Sequence, residues 1–218
     1  MQVLRAAAAA GTVAPVSIVM LPAAYAAAAD FEREGFAAAV RARRLGLDLA
    51  FVAPELRHAT DRAPLEQLRD AIIVPARAQG VAVWLGGISL GGYLALCYAA
   101  QHADELAGLC LFAPYLGSHL ITAEIERAGG LDAWRPGETA ADDEERRVWS
   151  YIARARRGPL PIHLGLGRED RFARRHRLLA AALAGRSVDT VSGGHDWPTW
   201  HRLWENFLDA RFLPAAGA

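Results

Sequence analysis

The apolar positions of this chain fall into short continuous runs: Val16 to Leu21 (VSIVML), Leu47 to Ala53 (LDLAFVA), Val81 to Leu85 (VAVWL), Leu106 to Ala113 (LAGLCLFA) and Pro161 to Leu166 (PIHLGL), with a more polar run at Ser187 to Val191. Their length suits strands, and apolarity without alternation means burial on both faces, as in a parallel sheet covered by helices. Helical stretches lie between them. Asp30 is a plausible cap for a helix through Arg44, with Phe31, Phe36, Ala39 and Val40 on one face and Gly46 at its end. A polar loop from Pro54 to Arg62 precedes a helix from Pro64 to Ala78 that should kink or end early at Pro75. Further helices are predicted over Tyr93 to Ala103, Phe172 to Ala184 and Asp196 to Phe212, and the residues before Ala14 read as a short strand or a loose lead-in.

The rhythm breaks between Tyr115 and Pro159. Helices are predicted at Ser118 to Ala128 and Asp142 to Arg157, with no strand between them. An insertion of that length between two strands reads either as a helical lid at 115–159 over the strand ends or as two surface helices remote from any site. The expected organisation is one α/β domain over 1–218, with a mostly parallel central sheet and helices on both faces.

Composition narrows the function by exclusion. The 218 residues hold 24 basic and 24 acidic side chains, and every basic one is arginine. Nothing in that balance recommends a nucleic-acid partner, and chemistry that needs a lysine amine is ruled out. No apolar run is long enough to span a bilayer. Cys97 and Cys110 lie in apolar segments and read as buried free thiols rather than a bridge, a nucleophile or metal ligands. Arg5, the alanine run, Val13 to Leu21 and Ala24-Tyr25-Ala26 could be read as a secretory signal. The strand reading of Val16 to Leu21 is the better one, because a cut after Ala26 would remove a piece of the site; a cytoplasmic protein is the expectation.

The chemistry centres on Val81 to Gly92, VAVWLGGISLGG. A strand breaks into a glycine-flanked serine and a helix resumes at once, and G-x-S-x-G spans Gly87 to Gly91. A serine at the tip of so sharp a turn is forced into strained backbone angles, and glycines two residues either side remove the collision. A phosphate-binding loop would need G-K-[ST], which a chain without lysine cannot supply, and G-x-G-x-x-G does not match these glycines. Ser89 is therefore a candidate nucleophile. Of the seven histidines, His195 sits just after the last strand, in Ser192-Gly193-Gly194-His195-Asp196. His176 and His201 fall inside predicted helices and read as surface residues, His163 lies within a strand, and His102 closes a helix. His58 and His119 lie on loops where either could line a pocket. Asp170, after Leu164-Gly165-Leu166-Gly167, is placed to orient an imidazole, with Glu169 its rival; Asp196 is better read as a helix cap.

In the order Ser89, Asp170, His195, the three motifs GISLGG, GLGREDRF and GGHDW each follow a predicted strand, and from Val16 onward the chain resembles the α/β-hydrolases. LPAAY and the compact length resemble the small carboxylesterase-like members. The resemblance implies an α/β-hydrolase fold and a serine hydrolase of the carboxylic-ester class, with an acyl-enzyme intermediate and neither metal nor organic cofactor. It also implies an oxyanion hole from the Leu90 amide and a second amide after the first parallel strand, where Ala24 is favoured over Ala23. Pro22-Ala23 stands where many relatives carry His-Gly, and the full N-terminal hairpin of larger members is missing. Tyr25, Tyr115, Leu116, His119, Trp134 and Trp149 are the candidate pocket walls for a small acyl substrate, although aromatic residues there could equally be lid packing. The competing readings are a hydrolase-fold binder without chemistry, and an acyltransferase or perhydrolase using the same three residues.

Overall fold

The computed structural model describes residues 1–7, 14–55, 63–137, 140 and 142–213. Seven strands form one sheet in the order β1-β3-β2-β4-β5-β6-β7. They are β1 Gln2–Ala6, β2 Val16–Leu21, β3 Leu47–Ala53, β4 Ala82–Ile88, β5 Gly108–Phe112, β6 Ile162–Gly167 and β7 Ser187–Val191. β1 pairs antiparallel with β3, and every other pairing is parallel. A single antiparallel edge strand therefore stands where the N-terminal stretch predicted a strand or a lead-in. β2 lies between β3 and β4, so a cut after Ala26 would take out an interior strand of the sheet.

The helices are α1 Ala28–Arg33, α2 Phe36–Ala42, α3 Ala63–Leu68, α4 Val74–Ala78, α5 Leu90–His102, α6 His119–Arg127, α7 Glu144–Ala155, α8 Ala173–Ala182 and α9 Trp197–Phe212. The continuous apolarity of the strands has the expected cause. On β2, Val19 and Leu21 enter one core cluster while Ile18 and Met20 enter the other, and β5 divides Leu109 and Leu111 from Cys110 and Phe112 in the same way. α1, α2 and α9 cover the second cluster. α9 places Trp200, Leu203, Trp204, Phe207 and Leu208 in it, at the spacing of one helical face. α5 lies in the first cluster together with α7 and α8. Both cysteines are buried, and neither forms a disulfide.

Four local expectations are corrected. The helix predicted from Asp30 to Arg44 is two helices broken at Gly35, whose φ is 84°. Asp30 does not cap it from outside; it sits in the first turn of α1 and its carboxylate accepts the Ala27 amide at 2.9 Å. Arg44 rather than Gly46 takes the left-handed conformation after α2, with φ 52°. In the helix carrying Pro75, the disturbance lies one turn earlier than the proline, as a π-helical turn over Arg69–Ile73. Proline cannot donate to the preceding turn, and the widened turn absorbs the mismatch.

The two helices of 115–159, α6 and α7, are joined to each other and α7 is packed into the core. Val148, Trp149 and Ile152 of α7 are buried in the cluster that contains α5. α6 is clamped to α7 by Arg146, whose guanidinium reaches Glu124 at 2.6 and 2.9 Å. The same carboxylate accepts Trp134 Nε1 at 2.8 Å. The Arg146 and Trp134 hydrogen bonds hold the Glu124 carboxyl at about 2, well below the usual range. α7 thus packs against α5, and α6 lies against α8 and is tied to α7 through Arg146.

The elbow glycines are required by close approach. A Cβ on Gly87 would lie 2.3 Å from the Gly91 backbone, and one on Gly91 would lie 2.1 Å from the carbonyl oxygen of Leu21. Gly91→Ala should therefore lower unfolding free energy by more than about 2 kcal/mol. Gly46→Ala, where nothing lies within 4 Å of the added carbon, should be neutral or stabilising; thermal and urea melts of the pair make the comparison. Acid sensitivity is also expected. Burial pushes the His163 imidazole down to about 4, so below its ordinary value of about 6.5 the unfolded chain binds the proton more readily. The stability this histidine confers is complete above that value and is lost as the pH falls towards 4, by about 3 kcal/mol. His163→Gln should show a shallower fall in urea titrations across that range.

Candidate active site

Because β2, β4, β5, β6 and β7 run parallel, the loops that follow them open on the same edge of the sheet. All five loops carry candidate residues, and the sheet, not the sequence, makes them neighbours. Ser89 follows β4 with φ 51° and ψ −111°, backbone angles that cost about 1–3 kcal/mol. They are held by three hydrogen bonds: the Ser89 amide donates to Phe112 O at 3.0 Å, and Ser89 O accepts from the Tyr93 and Tyr115 amides at 3.1 and 2.8 Å.

His195 Nε2 lies 3.0 Å from Ser89 Oγ, and His195 Nδ1 lies 2.7 Å from Asp170 Oδ2. The other Asp170 oxygen accepts the Phe172 amide at 2.7 Å. Burial pushes the Asp170 carboxyl up, but the His195 hydrogen bond and the Phe172 amide outweigh it and leave the group below its ordinary value. Glu169 points elsewhere. It is exposed and its carboxylate accepts the Gly193 amide, while the Glu169 amide donates back to Gly193 O at 3.1 Å. The acidic and histidine loops are thereby laced together. Asp196 caps α9, accepting from the Thr199 amide at 3.0 Å and its hydroxyl at 2.6 Å.

The Leu90 amide opens α5, and Ala24 lies within the turn closed by the Ala26 amide on Ala23 O at 3.1 Å. Among the described residues neither the Leu90 nor the Ala24 amide carries a hydrogen bond. The Gly91–Leu21 contact described above brings their two segments together backbone to backbone.

The proposed pocket walls divide. Tyr25 is fully exposed with φ 65°, His119 is exposed at the start of α6, and Tyr115 is half-buried, edge-on to Tyr93 at 5.4 Å. Leu116, Trp134 and Trp149 are buried in the core, and Trp149 Nε1 donates to Leu116 O at 3.1 Å. Their segment read as an insertion because it lacks a strand, but its apolar residues pack inward. His58 lies outside the described residues.

The geometry adds residues that the sequence reading passed over. Phe172 and Trp200 press edge-on against the His195 ring, with centroids 5.1 and 5.0 Å away. His176, read as a surface residue, is only 1% exposed. The signal was present: His176, Leu179 and Ala182 recur at helical spacing and form the buried stripe of α8. Among the described residues, no group of three or more His, Cys, Asp or Glu side chains is arranged to hold a metal ion. Nor is any described helix long and apolar enough to cross a membrane.

A mostly parallel sheet with a serine elbow after one inner strand, an acid after the next but one and a histidine after the last is an α/β-hydrolase architecture. Solved structures share it. Fluorophosphonate-binding serine hydrolase F of Staphylococcus aureus superposes with a TM-score of 0.67 at 12% identity, over 92% of this chain and 85% of that one. Monoacylglycerol lipase of Paleococcus ferrophilus gives 0.62 at 18% identity, over 96% and 99%. In sequence, an acetyl esterase of Caldicellulosiruptor saccharolyticus is 24% identical over 166 residues, 66% of this chain, and the match spans 59% of that enzyme's length. The sequence profile of the Esterase family matches residues 1–209, and the chain belongs to that family.

Proposed function

We propose that this protein is a serine esterase in which Ser89, His195 and Asp170 form the catalytic triad. The observation that carries the reading is the unbroken run of contacts at 3.0 and 2.7 Å from Ser89 Oγ through His195 to a buried carboxylate. Membership of the Esterase family supports the class of reaction.

In the proposed reaction His195 Nε2 takes the Ser89 proton as Oγ bonds to the acyl carbon. Asp170 keeps Nδ1 protonated, which leaves Nε2 free as the base, and it stabilises the imidazolium that forms. The negative charge that moves onto the carbonyl oxygen is met by the Leu90 and Ala24 amides. His195 then delivers the proton to the departing alcohol and leaves the acyl group on Oγ. Water enters, gives a proton to His195 and attacks the same carbon, and the acid departs as the proton returns to Ser89. The net change is ester plus water to acid plus alcohol, with neither metal nor cofactor taking part. We assign the reaction to a single unit over 1–218, with α6 bordering the substrate and Tyr25, Tyr115 and His119 at its rim. The acetyl esterase relative makes a short acyl ester the first substrate to try, and a cytoplasmic location is the accompanying proposal.

A fluorophosphonate probe should label the protein at Ser89, and Ser89→Ala should abolish labelling and reduce p-nitrophenyl acetate hydrolysis by at least about 10³-fold. A folded protein that takes no label would instead be a binder. Acyl transfer to added alcohols or peroxide in preference to water would indicate the transferase or perhydrolase reading. Asp170→Asn should lower kcat by roughly 10⁴-fold, whereas Glu169→Gln should leave kcat near the wild-type value; the reverse pattern would move the acid by one residue.

A further inference from the structure

Behind the candidate triad lies a second histidine. The α8 residue His176 is 1% exposed and borders the acid on its inner side. Its Nε2 lies 3.2 Å from the carbonyl oxygen of Pro114, which can only accept, so Nε2 carries the proton and Nδ1 is left as a lone pair. That Nδ1 is buried without a hydrogen-bond partner and stands 3.9 Å from Asp170 Oδ2, the oxygen that holds His195. The distance is too long for a hydrogen bond and too short for a water between them. Phe172 closes the group, its ring edge-on to both histidines with centroids 6.4 and 5.1 Å away. The titratable groups that act on His176 are Asp170 and His195, and burial pushes its imidazole down, which favours the neutral form.

We propose that His176 is a positioning residue of the proposed triad, with two separable actions. Through Pro114 it fastens the acid's side of the site to the loop after β5, where the adjacent Tyr115 amide holds Ser89 O at 2.8 Å. Through its bare Nδ1 it occupies the approach to Asp170 Oδ2, so that neither water nor another donor competes with His195 for that oxygen. A carboxylate kept dry on that side binds the His195 imidazolium more strongly and raises its basicity. The inference rests on the triad reading, and labelling of wild-type Ser89 by a fluorophosphonate tests that reading separately.

Two substitutions divide the two actions. His176→Phe keeps the site dry but cannot donate to Pro114. Its kcat per fluorophosphonate-titrated site should fall about ten- to hundredfold, as expected for a displaced reacting group, with KM little changed. His176→Gln can still donate to Pro114 but brings an amide and space for water next to Oδ2. Its kcat should stay close to wild type while the acid limb of kcat/KM moves to lower pH. A purely structural role would lower the melting temperature of both variants and leave kcat per titrated site and the acid limb unchanged, and that result overturns the proposal. Should His176→Phe fail to fold, the limb of His176→Gln decides alone: a shift sustains the inference, and an unmoved limb in a wild type that labels at Ser89 ends it.

Discussion

The backbone of one residue, Ser89, is the constraint to which the rest of the site answers. Its φ of 51° and ψ of −111° place the side chain beyond the end of β4 instead of back over the sheet. Such a conformation persists only where neighbours over-determine it. Here they do so from three sides: the amide is fixed to β5, the carbonyl is held by the next helical turn and by Tyr115, and the glycines leave no room for a relaxed alternative. The parallel sheet then sets the other distances, because loops leaving adjacent parallel strands at one edge can meet without long detours.

Packing explains why that edge is firm. β2, β3, β4 and β5 each feed two apolar clusters, one under α5 and α7 and the other under α1, α2 and α9, while β6 gives its apolar residues to the first alone. α9 links core to chemistry, since it starts at the Asp196 cap immediately after His195 and buries Trp200, Trp204 and Phe207 within three turns. The imidazole is packed edge-on by the buried Trp200 and the half-buried Phe172.

Much of this was legible in the sequence, for identifiable reasons. Continuous apolar runs report strands buried on both faces, and the spacing of glycine around Ser89 reports a steric requirement, since a Cβ added at Gly87 or Gly91 would come within 2.3 or 2.1 Å of backbone atoms. Asp170 was separable from Glu169 only weakly, because adjacent residues at a strand end share a context; the turn that sends one inward and the other to Gly193 is a tertiary fact. Position on a helix misled the reading of His176, where the apolar stripe it shares with Leu179 is the better guide. For Trp134 and Trp149 the sequence left pocket wall and packing open; both are buried in the core cluster, a direction of packing that the sequence of their segment does not reveal. Gly35 was overlooked as a break because a glycine within an apolar period is compatible with an unbroken helix.

The lacing of the Glu169 and Gly193 segments carries a consequence for how such a centre can vary. His195 and Asp170 ride on loops after β7 and β6 that are laced to each other, while Ser89 is held by hydrogen bonds to the end of β5, the first turn of α5 and the Tyr115 amide. A change that loosens the lacing of Glu169 and Gly193 would therefore be felt by Asp170 and His195 together, while the backbone hydrogen bonds of Ser89 stay in place.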